Sequence, residues 1–473
     1  SGSWGRGLSG KGPIGGGGGR GPGQKWACPA RGGRGRQCRG GGAGGVVSCS
    51  ALGVGRAVPC RAVPGRAGPG RAGRQRGGKA DYASLTSDEW NPWEGDEKLE
   101  QIASQHRYES NLQRLKDQKF QDEPADLRVQ IWGKAAIGLY LWQHIFEGPL
   151  EPTDVKAQWR EGNLKAGRTH FSFITGPAVA PGYFSVEVEN VVLVLNGREE
   201  TKISFATQWL LYIKTLIQAQ KLQHVAVVLL GNEQCNNDWI SPYLRSHGGF
   251  VDLLFITYDN PWVNDQDVFQ WPLGVATYRN FPVVDPSWSM LHEERSYLCN
   301  FLGTLYANSS RESLMEILKH DGNDKRCWVT GRQQWQPQET NESFQNYQDA
   351  LLQSDLTLCP VGVNTECYRV YEACSYASVP VIEDVMTPGN CGNTSSSQRA
   401  PLQLLKTMGA PFIFIKNWKE LPAVLEREKK MSLQEKIQRR KKLIGWYQHF
   451  RAQLKLKFIN ALENSFLAKE NRG

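Results

Sequence analysis

Cys359-Pro-Val-Gly-Val-Asn-Thr-Glu-Cys-Tyr-Arg-Val-Tyr-Glu-Ala-Cys374, preceded by Ser354-Asp-Leu-Thr-Leu358 and followed by Ser378-Val-Pro-Val-Ile382, is the stretch that decides the fold. An apolar run of strand length ends at Pro360. Gly362 allows a tight turn, a helix is expected over Glu366–Tyr376, and a second apolar run begins at Val379. A strand, a short loop, a helix and a strand make a βαβ unit on a parallel sheet. The alternation extends on both sides. Strands are expected at Tyr297–Gly303, Cys327–Thr330 and Pro411–Ile415, and helices at Ser310–His320, Ser343–Gln353 and Pro401–Met408. A second alternating block lies upstream, with strands at Val191–Leu195, Val225–Leu230 and Asp252–Tyr258 and a helix at Ile203–Gln220. Continuous apolar strands suit a sheet covered on both faces.

The organisation that follows is α/β, with two Rossmann-like lobes facing a cleft. Residues 126–286 form the first lobe, opened by Leu127–Phe146, which reads as one apolar, aromatic helix. The aromatic, Pro-rich segment Asp259–Pro286 breaks the alternation and marks the boundary. Residues 287–421 form the second lobe, and residues 422–468 read as charged helices that cross back to brace the first. Residues 81–125 read as a stem or linker that turns helical near Glu97–Phe120.

The net charge of +9 misleads about partners. Residues 1–80 hold 15 Lys+Arg, 28 of the 50 glycines and no acidic residue, so the remainder carries 41 basic against 47 acidic residues, a net of −6. A Gly/Arg segment with almost no apolar periodicity cannot offset its chain entropy and is expected to be disordered. An RNA-binding tail is the functional alternative, but aromatic residues interleaved for base stacking are missing, and no nucleic-acid partner is expected. The first methionine is Met290, and a misjoined gene model is a further reading of residues 1–80. No window offers the roughly 18 apolar residues of a membrane span, and no signal peptide is visible. Three Asn-x-Ser/Thr acceptors occur, at Asn308, Asn341 and Asn393. Cys235, Cys299, Cys327, Cys359, Cys367, Cys374 and Cys391 show no zinc spacing, and one or two disulfides are expected in an oxidising compartment.

Open α/β sheets bind ligands beyond the carboxyl ends of their strands. In the second lobe that place is the loop with Gly362, Asn364 and Thr365, the latter two read as caps of the following helix. The amino end of that helix is an anion site. Arg369 in its first turn adds a charge for a diphosphate, and Glu372, at i+3, faces the same side and suits ribose hydroxyls. An ordinary capped helix with an ion pair has the same spacing. The loop after the earlier strand contributes Gly303, Thr304 and Arg311.

Pro360, Gly362, Thr365, Arg369, Glu372 and Ser378-Val-Pro-Val-Ile382 resemble the nucleotide-sugar segment of exostosin-type glycosyltransferases, P-x-G…S-x-R-x-x-E…G-x-I-P-V, and Phe301-Leu-Gly-Thr…Arg311 resembles that family's F-x-G…R segment. The family serine is replaced, with Glu366 or Cys367 nearby, and its glycine is Ser378. The resemblance implies a two-lobed, GT-B type glycosyltransferase. Over residues 126–468 the likeness narrows to the xylosyltransferases that act on α-dystroglycan, through Gln130–Trp142, Ser172–Val179, Gln270–Val284 and Asp349–Arg369. That likeness implies a luminal Golgi enzyme, a type II membrane protein whose N-terminal anchor is not visible here. It would transfer xylose from UDP-xylose to ribitol 5-phosphate of the O-mannosyl glycan, with inversion, in complex with other Golgi dystroglycan-modifying transferases.

Inversion needs a general base. Glu233, Asp259, Asp265 and Asp267, all placed after strands of the first sheet, are the candidates, and Arg198 and Arg279 are candidates for the acceptor's phosphate. Asp265-Gln266-Asp267 also reads as a DxD metal site, which would make this a metal-dependent transferase of other specificity; the preferred reading requires no metal. A non-catalytic sugar-binding or scaffolding protein on the same fold is the remaining alternative.

Overall fold

The computed structural model describes residues 126–467, except 157, 177–187, 220, 321, 335, 337–338 and 393–399. The expectations for residues 1–125, and the Asn393 acceptor, lie outside the described residues.

The first sheet has eight strands: β1 (Leu127–Trp132), β2 (Glu151–Pro152), β3 (Arg160–Ala166), β4 (Thr169–Thr175), β5 (Asn190–Asn196), β6 (His224–Leu230), β7 (Leu253–Thr257) and β8 (Val268–Trp271). They are ordered β2-β3-β4-β1-β5-β6-β7-β8. From β4 to β8 every neighbouring pair is parallel. β3 and β2 add an antiparallel edge. The expected single helix at Leu127–Phe146 is therefore corrected. Leu127–Trp132 is a central strand that buries Leu127, Val129 and Ile131 and leaves Arg128 exposed, and after Gly133-Lys134-Ala135 the chain turns into helix α1 (Ala136–Leu139), which widens into a π-type turn over Tyr140–Ile145. The alternation of Leu127, Val129 and Ile131 with Arg128 and Gln130 is a strand signal, but it is short and is absorbed into the longer apolar run that continues to Phe146. Helix α2 (Glu200–Gln218) covers the sheet with Trp209, Leu210, Ile213 and Leu216.

The segment that breaks the alternation contains β8 and then crosses to the second sheet. That sheet comprises β9 (Tyr297–Thr304), β10 (Cys327–Arg332), β11 (Ser354–Cys359), β12 (Val379–Glu383) and β13 (Ile413–Ile415). All are parallel, ordered β10-β9-β11-β12-β13. The chain runs from β9 outward to β10 and then back across β9 to β11, so the switch point of the sheet lies between β9 and β11, where a crevice forms. Between the strands run α3 (Trp288–His292), α4 (Ser310–His320), α5 (Asn341–Gln353), α6 (Tyr368–Ser375) and α7 (Gln403–Thr407), followed by α8 (Leu421–Lys430).

Helix α9 (Leu433–Phe466) is 34 residues long, about 51 Å at 1.5 Å per residue. Ser432 and Glu435 close a capping box at its start. Its first half packs on the second lobe through Arg440, whose guanidinium meets Asp355 at 2.7 Å with both side chains 1% exposed. Arg440 also donates to the carbonyls of Leu291 and Glu293. Its second half reaches the first lobe. Phe458 packs among Phe146, Phe171, Phe255 and Trp271, and Glu463 accepts from the Arg168 amide and the Thr169 hydroxyl. The tail thus straps both lobes. Arg440→Ala should lower stability by roughly 3 kcal/mol, the low end for a broken buried pair because Lys436 still contacts Asp355 at 2.8 Å. Urea unfolding of both proteins checks this, and an unchanged midpoint would refute it.

Candidate functional site

A cavity of about 890 Å³ lies between the carboxyl ends of the two sheets. The first lobe contributes the loops after β5 and β6, with Arg198 and Glu233, and the second contributes the loops after β9, β10 and β11. The crossing segment supplies Leu273, Ala276 and Arg279.

The loops that flank the switch point hold two arginines. Arg369 donates from Nη2 to the Leu302 carbonyl at 2.9 Å and lies 5.0 Å over the Phe301 ring. Arg311 donates from Nη1 to the Thr304 carbonyl at 2.9 Å and lies 5.2 Å from the Tyr306 ring. Both line the cavity, and the Nε of each is buried with no hydrogen-bond partner. Two glycines permit this approach. A Cβ at Gly303 would stand 2.9 Å from Arg369 Nη2, and one at Gly362 would stand 3.0 Å from Arg311 Nη2. Burial, and then Arg369 beside it, pulls the Arg311 pKa down, a cost that a bound anion would relieve. α6 opens at the same wall, its first N–H groups lacking helical partners. Cys367, at the N-cap of α6, has its thiol lowered to about 6, first by a hydrogen bond with Cys359 and, against burial, by Arg369 and Arg311.

Asn364 and Thr365 do not cap α6. Asn364 donates to the Glu233 carbonyl at 2.7 Å, tying the lobes, and Thr365 donates to the Val385 carbonyl at 2.6 Å. Thr304 lines the cavity, and its hydroxyl receives a 3.3 Å bond from Arg332. Glu372 faces the cavity beside Arg369, but each of its oxygens already accepts one protein bond, from the Ala276 amide at 3.0 Å and the Tyr347 hydroxyl at 2.5 Å. Ribose hydroxyls would share its remaining lone pairs. Burial raises its pKa.

Of the four base candidates, only Glu233 lines the cavity, 3.4 Å from Arg198. Asp259 caps the start of α7, accepting from the Leu402 amide at 2.7 Å and the Gln403 amide at 3.0 Å. Asp265 and Asp267 are corrected for a topological reason. The loop after β7 has already run back to the amino end of the sheet before β8 begins, as the bond from the Leu254 amide to the Asp267 carbonyl shows. There Asp265 meets Lys457 at 2.6 Å and Asp267 meets Asn264 at 2.6 Å, away from the cleft. Among the described residues no group of three or more His, Cys, Asp or Glu could hold a metal.

Arg198 contacts the Tyr258 hydroxyl at 2.6 Å, and Arg279 contacts the Gln336 carbonyl at 3.0 Å and Glu339 at 3.3 Å; both line the cavity. Sequence reasoning missed Arg332, which shares Glu339 at 2.8 Å, although it ends β10 and the strand-end rule points to it. The one or two disulfides expected are two, whose pairing the sequence left open: Cys235–Cys391 joins the loop after β6 to the second lobe, and Cys299–Cys327 ties β9 to β10. Asn308 and Asn341 are exposed.

Two parallel sheets whose carboxyl-end loops close on a cation-lined cavity, strapped by a returning C-terminal helix, make this chain a two-lobed glycosyltransferase of the GT-B type. Family models for the RXYLT1 N-terminal domain and the RXYLT1 C-terminal domain match residues 129–272 and 278–467. Ribitol-5-phosphate xylosyltransferase 1 of Homo sapiens is 73% identical over 385 residues, covering 81% of this chain and 86% of that protein. The protein of the same name from Danio rerio is 59% identical over 378 residues, covering 80% and 86%. Among solved structures the likeness is looser: the catalytic domain of starch synthase IV from Arabidopsis thaliana, bound to ADP and acarbose, has a TM-score of 0.37 and 9% identity, covering 64% of this chain and 85% of that one. The chain belongs to the ribitol-5-phosphate xylosyltransferase 1 family.

From the placement of Asp265 and Asp267, the double variant Asp265→Asn with Asp267→Asn should retain wild-type transferase activity in excess EDTA. Loss of activity in that assay would reinstate the metal site.

Proposed function

We propose that this chain transfers xylose from UDP-xylose to ribitol 5-phosphate in the O-mannosyl glycan of α-dystroglycan, forming a β linkage with inversion at the anomeric carbon. Family membership supports the sugar and the acceptor. The observation that carries the donor chemistry is the pair Arg311 and Arg369, brought to one wall by Gly303 and Gly362 with buried, unpartnered Nε groups. Two guanidinium groups and a helix amino end suit a diphosphate, and they stabilise the charge that grows on UDP as it leaves.

The second cluster, Arg198, Arg279 and Arg332, suits the acceptor's phosphate. Arg279 and Arg332 share the single carboxylate of Glu339, which leaves one positive charge there. A phosphate can bridge both guanidinium groups.

The same reading places the catalytic part in the Golgi lumen as a type II membrane protein. Two disulfides and the exposed acceptors Asn308 and Asn341 support an oxidising, glycosylating compartment. Among the described residues no helix is long and apolar enough to cross a membrane.

Arg369→Ala should weaken UDP binding by roughly 10- to 100-fold, the loss of charge-assisted bonds worth about 1.5–3 kcal/mol. Calorimetry with UDP measures it, beside a transfer assay with UDP-xylose and a ribitol-phosphate acceptor. UDP binding to the variant at wild-type affinity would place the donor elsewhere.

A further inference from the structure

Five glutamates line the cavity: Glu199, Glu233, Glu339, Glu366 and Glu372. Most are committed. Both oxygens of Glu372 accept protein bonds. Glu339 is held by Arg279, Arg332 and the Ser343 hydroxyl. Glu199 accepts from Thr201, with its side chain 43% exposed. Glu233 is the counter-ion of Arg198, with a third of its side chain in solvent.

Glu366 differs. It is buried in the cavity wall, one residue before the N-cap of α6. Its Oε1 accepts the Leu273 amide at 2.8 Å and the Tyr371 hydroxyl, so the carboxylate is held in one orientation. Its Oε2 has no hydrogen-bond partner among the described residues and no cation is paired with it. The direction is also informative. Glu366 turns to Leu273 on the crossing segment, whereas Arg369 turns to Leu302 and Phe301 on β9. In-line displacement needs base and leaving group on opposite sides of the sugar, and the two side chains are anchored to different segments of the cavity lining.

We propose that Glu366 is the general base of the transfer, taking the proton of the acceptor hydroxyl on Oε2; this rests on the donor reading above. As that proton moves to Oε2, the acceptor oxygen bonds to the anomeric carbon of xylose. The bond from that carbon to the diphosphate oxygen breaks, and its electron pair leaves with UDP between Arg311 and Arg369. The neutral Glu366 then releases its proton to solvent. The groups facing Glu366 are Tyr371 from α6, Asp259 from the loop after β7 and Cys367 beside it. Burial outweighs the bonds from Tyr371 and Leu273 and sets the carboxyl at about 7, so it is ionised in growing proportion as pH rises through neutrality.

Glu366→Gln keeps an oxygen for the Leu273 amide and Tyr371 but cannot take a proton. It should lower kcat by roughly 10²- to 10⁴-fold and leave UDP affinity within about twofold of wild type. Wild-type kcat should rise through about pH 7, and the variant should lack that limb. Glu366→Ala should regain activity with added formate, a rescue that a structural role would not produce. A Glu366→Gln enzyme with wild-type kcat, loss of the acid limb in Glu233→Gln instead, or absence of formate rescue would overturn the proposal. Failure of the donor reading shows separately, as unaltered UDP binding in Arg369→Ala.

Discussion

Two buried carboxylates hold the crossing segment in place, and the cavity depends on them. Glu366 accepts the Leu273 amide and Glu372 accepts the Ala276 amide, so the chain leaving β8 is tied at both points to the segment that carries α6. Such charge-assisted bonds contribute about 1.5–3 kcal/mol each, while burial raises the pKa of both groups and sets a cost against them. The arrangement survives because other constraints fix the lobes independently. α9 packs on both, and Cys235–Cys391 with the Asn364 bond to the Glu233 carbonyl closes the opposite side. The site is therefore assembled from loops of both lobes and the crossing segment, and their spacing does not rest on either lobe alone.

Two of the cavity arginines, Arg311 and Arg369, are oriented by groups other than carboxylates. Carbonyl oxygens and aromatic faces hold Arg369 and Arg311, whereas Arg198 meets the Glu233 carboxylate as well as the Tyr258 hydroxyl. Elsewhere the same residue type is cancelled: Arg440 sits against Asp355 and Arg439 against Glu428. A bracing arginine need not be paired in this way, since Arg295 is held by the carbonyls of Met290, Leu351, Ser354 and Tyr376, but a cavity arginine without a carboxylate keeps its charge for a phosphate. Arg279 and Arg332 lie between these cases, sharing Glu339. This explains how residues 126–467, with 34 basic and 35 acidic side chains, present a cationic cavity.

The second lobe was legible because each of its strands is an apolar run separated from a helix by a short loop, and the strand-end rule led directly to Gly303, Arg311, Gly362 and Arg369. The first lobe was legible only in its middle. The alternation of β1 is short and runs straight into α1; the β3–β4 hairpin, turning at Gly167, is a sheet edge with mixed faces; β8 is hidden in an aromatic segment. The catalytic acids were harder for a reason of topology. Asp265 and Asp267 follow β7 in sequence but precede β8 in space, and Asp259 is claimed by amides about 143 residues away. Sequence order names the loop; it does not say at which end of the sheet each part of the loop lies.

Charge links the donor arginines to Glu366. A carboxyl group poised near neutrality is sensitive to any anion brought near it. A UDP diphosphate entering the cavity would push Glu366 toward its protonated form if its charge were left bare. Arg311 and Arg369, uncancelled by any carboxylate contact in the structure, are placed to absorb that charge. The departing diphosphate develops further negative charge as the proton leaves the acceptor, so the same two guanidinium groups must answer both demands. Neutralising either arginine with a protein carboxylate would strengthen the fold locally. It would also leave the base facing an unscreened diphosphate, and that is the physical reason for orienting these side chains with carbonyls and rings.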